Sequence, residues 1–298
     1  MNDGVLLVHK PQGITSFDVV ARIRRLYGTK QVGHTGTLDP MATGLLPVLV
    51  GRAVKASEFL TEKDKEYIAG LRLGITTDTE DITGTILTQT DRIPEKETVL
   101  ETAKTFVGDI MQVPPMYSAI KIGGEKLVDL ARKGITVERE ARPITVYELE
   151  IDGNEKDYRM RVACSKGTYI RTLCVDIGAK LGCGGTMSSL VRTKTGGFTL
   201  ENAYTLEDLE SKTPEERSAL LLPTETLFTH LQKFTLSDFY AKLSRNGCEI
   251  YQKKVSASFP LGTMLRICDK DGFYAIGEVT EYPEGTAIKL RKRFDITK

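Results

Sequence analysis

The chain has 298 residues, of which 40% are hydrophobic and 27% charged, with a formal net charge of +1 and a pI near 7.6. That length exceeds one compact core and implies a large domain plus a smaller one. The near-neutral charge argues against a protein that coats nucleic acid without specificity, while leaving room for local basic patches. The N-terminus has no apolar run of signal-peptide length, and no stretch approaches the roughly 20 apolar residues of a membrane span. The five cysteines, Cys164, Cys174, Cys183, Cys248 and Cys268, form no C-x-x-C pair. They read as buried thiols of a reducing compartment, and a cytoplasmic location is expected. With only His9, His34 and His230 among the histidines, a metal cage is not expected.

Val5–His9 reads as a first strand ending at Lys10-Pro11. Thr15 and Asp18 have capping-box spacing, Val19, Val20, Ile23 and Leu26 follow at helical spacing, and Gly28 is a plausible stop. Arg22, Arg24, Arg25 and Lys30 cluster just before a loop, and Lys289, Arg291, Lys292 and Arg293 cluster near the C-terminus. Each cluster is either a solvated face or a phosphate contact. Leu45–Val50 reads as a buried strand, and Tyr67–Leu73 alternates with Tyr67, Ala69, Leu71 and Leu73 on one face. Ile144–Ile151 and Tyr158–Ser165 form an expected antiparallel pair around Asp152-Gly153-Asn154. Thr168 is placed as the cap of a helix carrying Ile170, Leu173, Cys174, Ile177 and Leu181, ended by Gly182. Residues 205 to 228 look helical and acidic. Short strands follow at Met264–Cys268, Phe273–Val279 and Thr286–Lys292. Strands and helices do not alternate as in a parallel βαβ fold, so an α+β architecture is expected. It comprises a mixed, largely antiparallel sheet with flanking helices over residues 1–230 and a small β-rich domain over 231–298.

The loop from Gly33 to Pro47 carries one carboxylate, Asp39. Gly33, Gly36 and Gly44 permit unusual backbone angles, and Pro40 biases Asp39 away from helix. Taken alone, it is either a turn capped by its own Asp and Thr side chains or a constrained presentation of a catalytic group.

Gly33-His34-x-Gly36-x-Leu38-Asp39-Pro40-x-Ala42-x-Gly44-x-Leu46-Pro47 resembles the catalytic signature of the tRNA pseudouridine-55 synthases, the TruB family. Five further blocks keep that family's order: Lys10-Pro11-x-Gly13-x-Thr15-Ser16; Lys65-Glu66-Tyr67 with Thr77 to Gly84; Pro114 to Gly124 with Ala131-Arg132; Ser165 to Leu173; and Leu190-x-Arg192-Thr193 with Gly197-Phe198. Together they span roughly residues 4 to 200, two-thirds of the chain. The chain departs from the pattern at Val128, Thr186 and Val191.

The resemblance implies isomerisation of uridine to pseudouridine in the tRNA T-arm. The N1–C1′ bond breaks, the base turns over, and it rejoins through C5, with neither cofactor nor metal. An ionised carboxylate must add covalently, and by the resemblance this is Asp39. Its partner is Arg171, since a guanidinium at contact distance lowers a carboxylate pKa by roughly 1–3 units. Tyr67 stacks on the uracil or accepts a proton, and Tyr169 and Leu190 line the pocket. His34 stacks in the space left by the flipped base. Lys10 and Pro11 brace the loop. The C-terminal strands resemble, weakly, the PUA RNA-binding domain that usually follows, with Asn246-Gly247 as the cue. Read without the resemblance, Arg171 is a surface helix charge, Tyr67 a core-facing aromatic and His34 a solvated loop residue. Two other readings stay open: a tRNA-binding chaperone without catalysis, and a guide-dependent synthase. The chain carries no Lys-rich tail of the kind used to assemble with guide RNA, so neither guide RNA nor membrane is expected, and a monomer is.

Overall fold

A computed structural model describes residues 3–59 and 64–295, so the last three residues of the expected C-terminal domain fall outside it. β1 (Gly4–Lys10) enters the core at once. α1 (Ser16–Tyr27) starts where Thr15 accepts from the Asp18 amide and the Asp18 carboxylate accepts from the Thr15 amide. It ends on Gly28, whose φ of 60° is left-handed. β2 (Val32–His34) and β3 (Thr43–Val50) follow, then a 3₁₀ stretch, Gly51–Phe59. β4 (Lys65–Leu73) buries Tyr67, Ala69, Leu71 and Leu73, the face its alternation marks.

β5 (Ile75–Thr77) and β6 (Ile86–Gln89) form a separate ribbon. Then come α2 (Lys96–Lys104), β7 (Gly108–Gln112), the small hairpin β8 (Lys121–Ile122) and β9 (Glu125–Lys126), and α3 (Leu127–Arg132). β10 (Arg142–Asn154) and β11 (Asp157–Cys164) pair antiparallel as expected, but the turn is Glu155-Lys156, not Asp152-Gly153-Asn154. Gly153 serves inside the strand: a Cβ there would lie 2.3 Å from the Asp157 carbonyl oxygen. The cross-strand approach, and not the turn, requires the glycine. α4 (Ile170–Lys180) and β12 (Gly185–Thr195) complete the site region, with β13 (Phe198–Thr199) on its edge. The acidic stretch resolves into α5 (Leu206–Ser211), α6 (Pro214–Ala219) and a 3₁₀ turn, Thr224–Phe228.

The large sheet runs β1-β3-β12-β4-β11-β10-β7, with β2 also on β3 and β13 on β12. It is antiparallel except where β12 lies parallel to β3, Val191 beside Thr43 and Arg192 beside Gly44. A second sheet has the order β14-β16-β17-β18-β15, built from β14 (Gln232–Thr235), β15 (Ile250–Tyr251), β16 (Met264–Asp269), β17 (Gly272–Tyr282) and β18 (Gly285–Arg293). α7 (Asp238–Arg245) packs beside it.

β1 and β3 are apolar without alternation because both their faces are covered. Leu6, Val8, Leu46 and Val48 face the main core with α1. Val5, Leu7, Leu45 and Leu49 face the second sheet through Phe228, Ile276 and Phe294. The Phe228 ring lies 5.6 to 5.9 Å from those of Phe59, Phe273 and Phe294, so an aromatic cluster seats the second sheet on the back of the strands flanking the loop. Four cysteines are buried, but Cys248 is exposed, which corrects the expectation of five buried thiols. It follows the turn at Asn246-Gly247, in the link between α7 and β15.

Candidate active site

The Asp39 loop is held from three directions. Lys10, fully buried at the end of β1, donates from Nζ to the carbonyls of Pro11 (2.9 Å), Pro40 (3.3 Å) and Ala42 (2.7 Å). Burial lowers the Lys10 pKa to about 8, with Asp39 opposing the shift. Ser16, first residue of α1, accepts from the Leu38 amide at 2.9 Å and donates to its carbonyl at 3.2 Å. Leu38 and Ala42 anchor the loop in the core. Gly44, at φ 105°, lets β3 approach β12 so closely that a Cβ would sit 2.4 Å from the Arg192 carbonyl oxygen. The chain around Asp39 is therefore fixed before substrate arrives.

Arg171 is 5% exposed and is no surface charge. Its Nε donates to Asp39 Oδ2 at 2.9 Å, while Nη1 donates to the Thr79 carbonyl at 3.0 Å and Nη2 to the Tyr117 carbonyl at 2.8 Å. One guanidinium thus ties four segments of the chain together. A cation in the first turn of a helix opposes the macrodipole, so its carboxylate partner stabilises the arrangement. Tyr169 is the N-cap of α4 and makes no side-chain cap bond. Thr168, the expected cap, instead donates to the Ser165 carbonyl at 3.0 Å. Buried Gln112 on β7 brackets Tyr169, accepting from its amide at 2.8 Å and donating to its carbonyl at 3.1 Å.

Asp39, Tyr67, Tyr169, Arg171, Leu190 and Arg192 line one cavity of about 390 Å³. His34, alone of the six candidate residues, is not part of its lining. It sits on β2, half-buried, with Nδ1 accepting from the Gly36 amide at 3.3 Å. Burial, and then the Arg192 charge, lower its pKa. Burial raises the pKa of both Tyr67 and Tyr169, so both phenols are neutral near pH 7.

Arg192, which the sequence pattern assigns no role, is part of the site. It is 2% exposed and donates to the carbonyls of Leu45 (2.8 Å) and Gly36 (3.1 Å). It also hydrogen-bonds Tyr67, its register partner on β4. Its burial lowers the Arg192 pKa, with Tyr67 opposing. The available signal was strand periodicity: Arg192 lies two residues beyond Leu190 and so shares its face. Of the departures, Val128 lines the cavity. Thr186 is buried against the Thr77 hydroxyl, and Val191 lies opposite Ile68.

The basic clusters are less available than their sequence suggests. Lys289 pairs with Glu249, Arg291 with Glu278, Lys292 with Glu58 and Arg293 with Asp295. In the first cluster Arg22 pairs with Glu210, and Arg24 donates to the Val32 carbonyl.

The TruB family pseudouridylate synthase N-terminal domain model matches residues 24–170, and the tRNA pseudouridylate synthase B C-terminal domain model matches residues 171–229. The chain is 45% identical over 282 residues to the tRNA pseudouridine synthase B of Clostridium tetani, covering 94% of this chain and 96% of the relative. It is 49% identical over 256 residues to that of Bacillus licheniformis, covering 83% of each. A solved chain of a Cbf5-Nop10-Gar1 complex superimposes with a TM-score of 0.76 at 28% identity, covering 99% of this chain and 85% of that one. The fold and these likenesses define a pseudouridine synthase. Within that class, the chain belongs to the TruB family.

Proposed function

We propose that this protein isomerises uridine 55 in the T-arm of tRNA to pseudouridine, with Asp39 as the covalent nucleophile. The observation that carries the reading is the Asp39–Arg171 ion pair at 2.9 Å in a cavity walled by Tyr67, Tyr169 and Leu190. The target base must leave its stack, at a cost of a few kcal/mol that pocket contacts offset. Asp39 bonds to C1′ as the N1–C1′ bond breaks, and the base turns over. C5 bonds to C1′ as the Asp39–C1′ bond breaks and frees the carboxylate, and the C5 hydrogen leaves as a proton while N1 takes one up. Arg171 and the Lys10-clamped loop orient the carboxylate, a service of preorganisation rather than of chemistry. Tyr67, braced by Arg192, stacks on the uracil as a neutral phenol, or takes the C5 proton once its own has been lost. His34, outside the cavity on β2, fills the space the base vacates.

The relatives at 45% and 49% identity are named as tRNA enzymes, which supports action on tRNA without a guide RNA. Residues 231–298 form the RNA-binding domain of this proposal, and the protein acts as a cytoplasmic monomer. The test is tritium release from tRNA labelled at uridine C5, with purified protein alone and with Asp39→Asn. Wild type is expected to release tritium and Asp39→Asn none; a fully active Asp39→Asn sinks the mechanism.

A further inference from the structure

The turn that carries the Thr79 carbonyl contains a strained residue. Glu80 adopts φ 65°, a left-handed conformation that side chains disfavour and glycine tolerates. The surroundings over-determine it. The Glu80 amide donates to the Thr77 carbonyl at 3.3 Å, and its carbonyl accepts from the Met187 amide at 3.1 Å. Across the bend, the Ile82 amide donates to the Met187 carbonyl at 2.9 Å. Gly84 closes the turn, where a Cβ would meet the Thr79 hydroxyl at 2.3 Å. Such strain persists only where the surrounding structure over-determines the conformation.

The Glu80 side chain has a defined partner. Its Oε2 accepts from the Thr172 hydroxyl at 2.7 Å, in the first turn of α4. Two consecutive residues of the turn therefore hold two consecutive residues of the helix: the Thr79 carbonyl holds Arg171 and the Glu80 carboxylate holds Thr172. Burial raises the Glu80 pKa, the Thr172 hydrogen bond opposes it, and the charges of Arg171, Asp176 and Arg139 act on the carboxyl more weakly.

We propose that Glu80 is a positioning residue for the isomerisation: by tying Thr172 to the turn it locks the start of α4, keeping Arg171 Nη1 on the Thr79 carbonyl and Nε on Asp39. This inference rests on the reading of Asp39 as nucleophile. Glycine would relieve the backbone and lose the tether, so geometry and stability move in opposite directions. That separates positioning from a merely structural role.

The experiment compares Glu80→Gly, Glu80→Gln and Asp39→Asn in tritium release, tRNA affinity and melting temperature. Glu80→Gly is expected to lower kcat on the order of 10- to 100-fold, as a misplaced catalytic group does, with KM for tRNA and melting temperature near wild type. Glu80→Gln, whose amide oxygen still accepts from Thr172, restores turnover close to wild type. Wild-type kcat in Glu80→Gly, or equal impairment in Glu80→Gln, overturns the inference while Asp39→Asn stays inactive. A fall in kcat that only follows a fall in melting temperature overturns it too. An active Asp39→Asn fails the reading of the site itself.

Discussion

Replacing Arg171 by alanine removes one guanidinium and strands three acceptors: Asp39 Oδ2 and the carbonyls of Thr79 and Tyr117. The electrostatic part can be bracketed. Opposite charges 2.9 Å apart attract by about 1.4 kcal/mol in bulk water and about 6 kcal/mol at an effective permittivity near 20. The Arg171 side chain is 6% exposed and that of Asp39 35% exposed, so solvent screens one partner and not the other. That attraction holds the carboxylate in place in the resting site, and losing the positioning is expected to cost on the order of 100-fold in kcat, or about 3 kcal/mol. Because the pair lies inside the cavity, tRNA affinity should be retained. Arg171→Lys should recover part of the loss, since an ammonium keeps the charge but cannot reproduce the three-directional fork. Multiple-turnover tritium release gives kcat, and filter binding with tRNA gives affinity. A variant with unchanged turnover, or one whose defect lies wholly in binding, would refute the reasoning.

Gly44→Ala should destabilise the protein by about 3 kcal/mol or more, combining backbone strain at φ 105° with a clash against Arg192. An unchanged urea midpoint would contradict the close β3–β12 approach. Lys10 supplies a pH test. Its folded pKa of about 8 lies below the unfolded 10.5, so the unfolded chain holds more protons between those values. Stability therefore rises with pH across that window in wild type, relative to Lys10→Met. Urea midpoints at both ends of the window check this, and a relative fall would show the sign to be wrong.

Where sequence reasoning worked, the cause was local. The α1 cap and stop depend on groups within three or four residues, and Thr15, Asp18 and Gly28 act as their spacing implies. The face of β4 follows from a period of two. Its failures share a cause as well: the partner came from elsewhere in the chain. Gly153 looked like a turn glycine because Tyr158 was not visible beside it. Thr168 looked like a cap because Gln112, far upstream, was not visible holding Tyr169. The C-terminal cations read as a solvated face or a phosphate contact because three of their four carboxylate partners come from elsewhere in the chain, among them Glu58 from the 3₁₀ stretch after β3.

The site divides in the same way. The sequence by itself pointed to a constrained loop around one carboxylate, and the order of its motifs pointed to the family. The loop's expected span of residues 33–47 shrinks to 35–42, because sheet pairing takes Gly33 and His34 into β2 and starts β3 at Thr43. Only the tertiary structure decided that Arg171 is a buried partner at 2.9 Å rather than a helix-surface charge. It also brought Arg192 under Tyr67 and set His34 outside the cavity. A backbone turn is specified by the residues that make it, whereas the environment of a charge is specified by whatever packs against it. For Asp39 those are β1 through Lys10, α1 through Ser16 and α4 through Arg171.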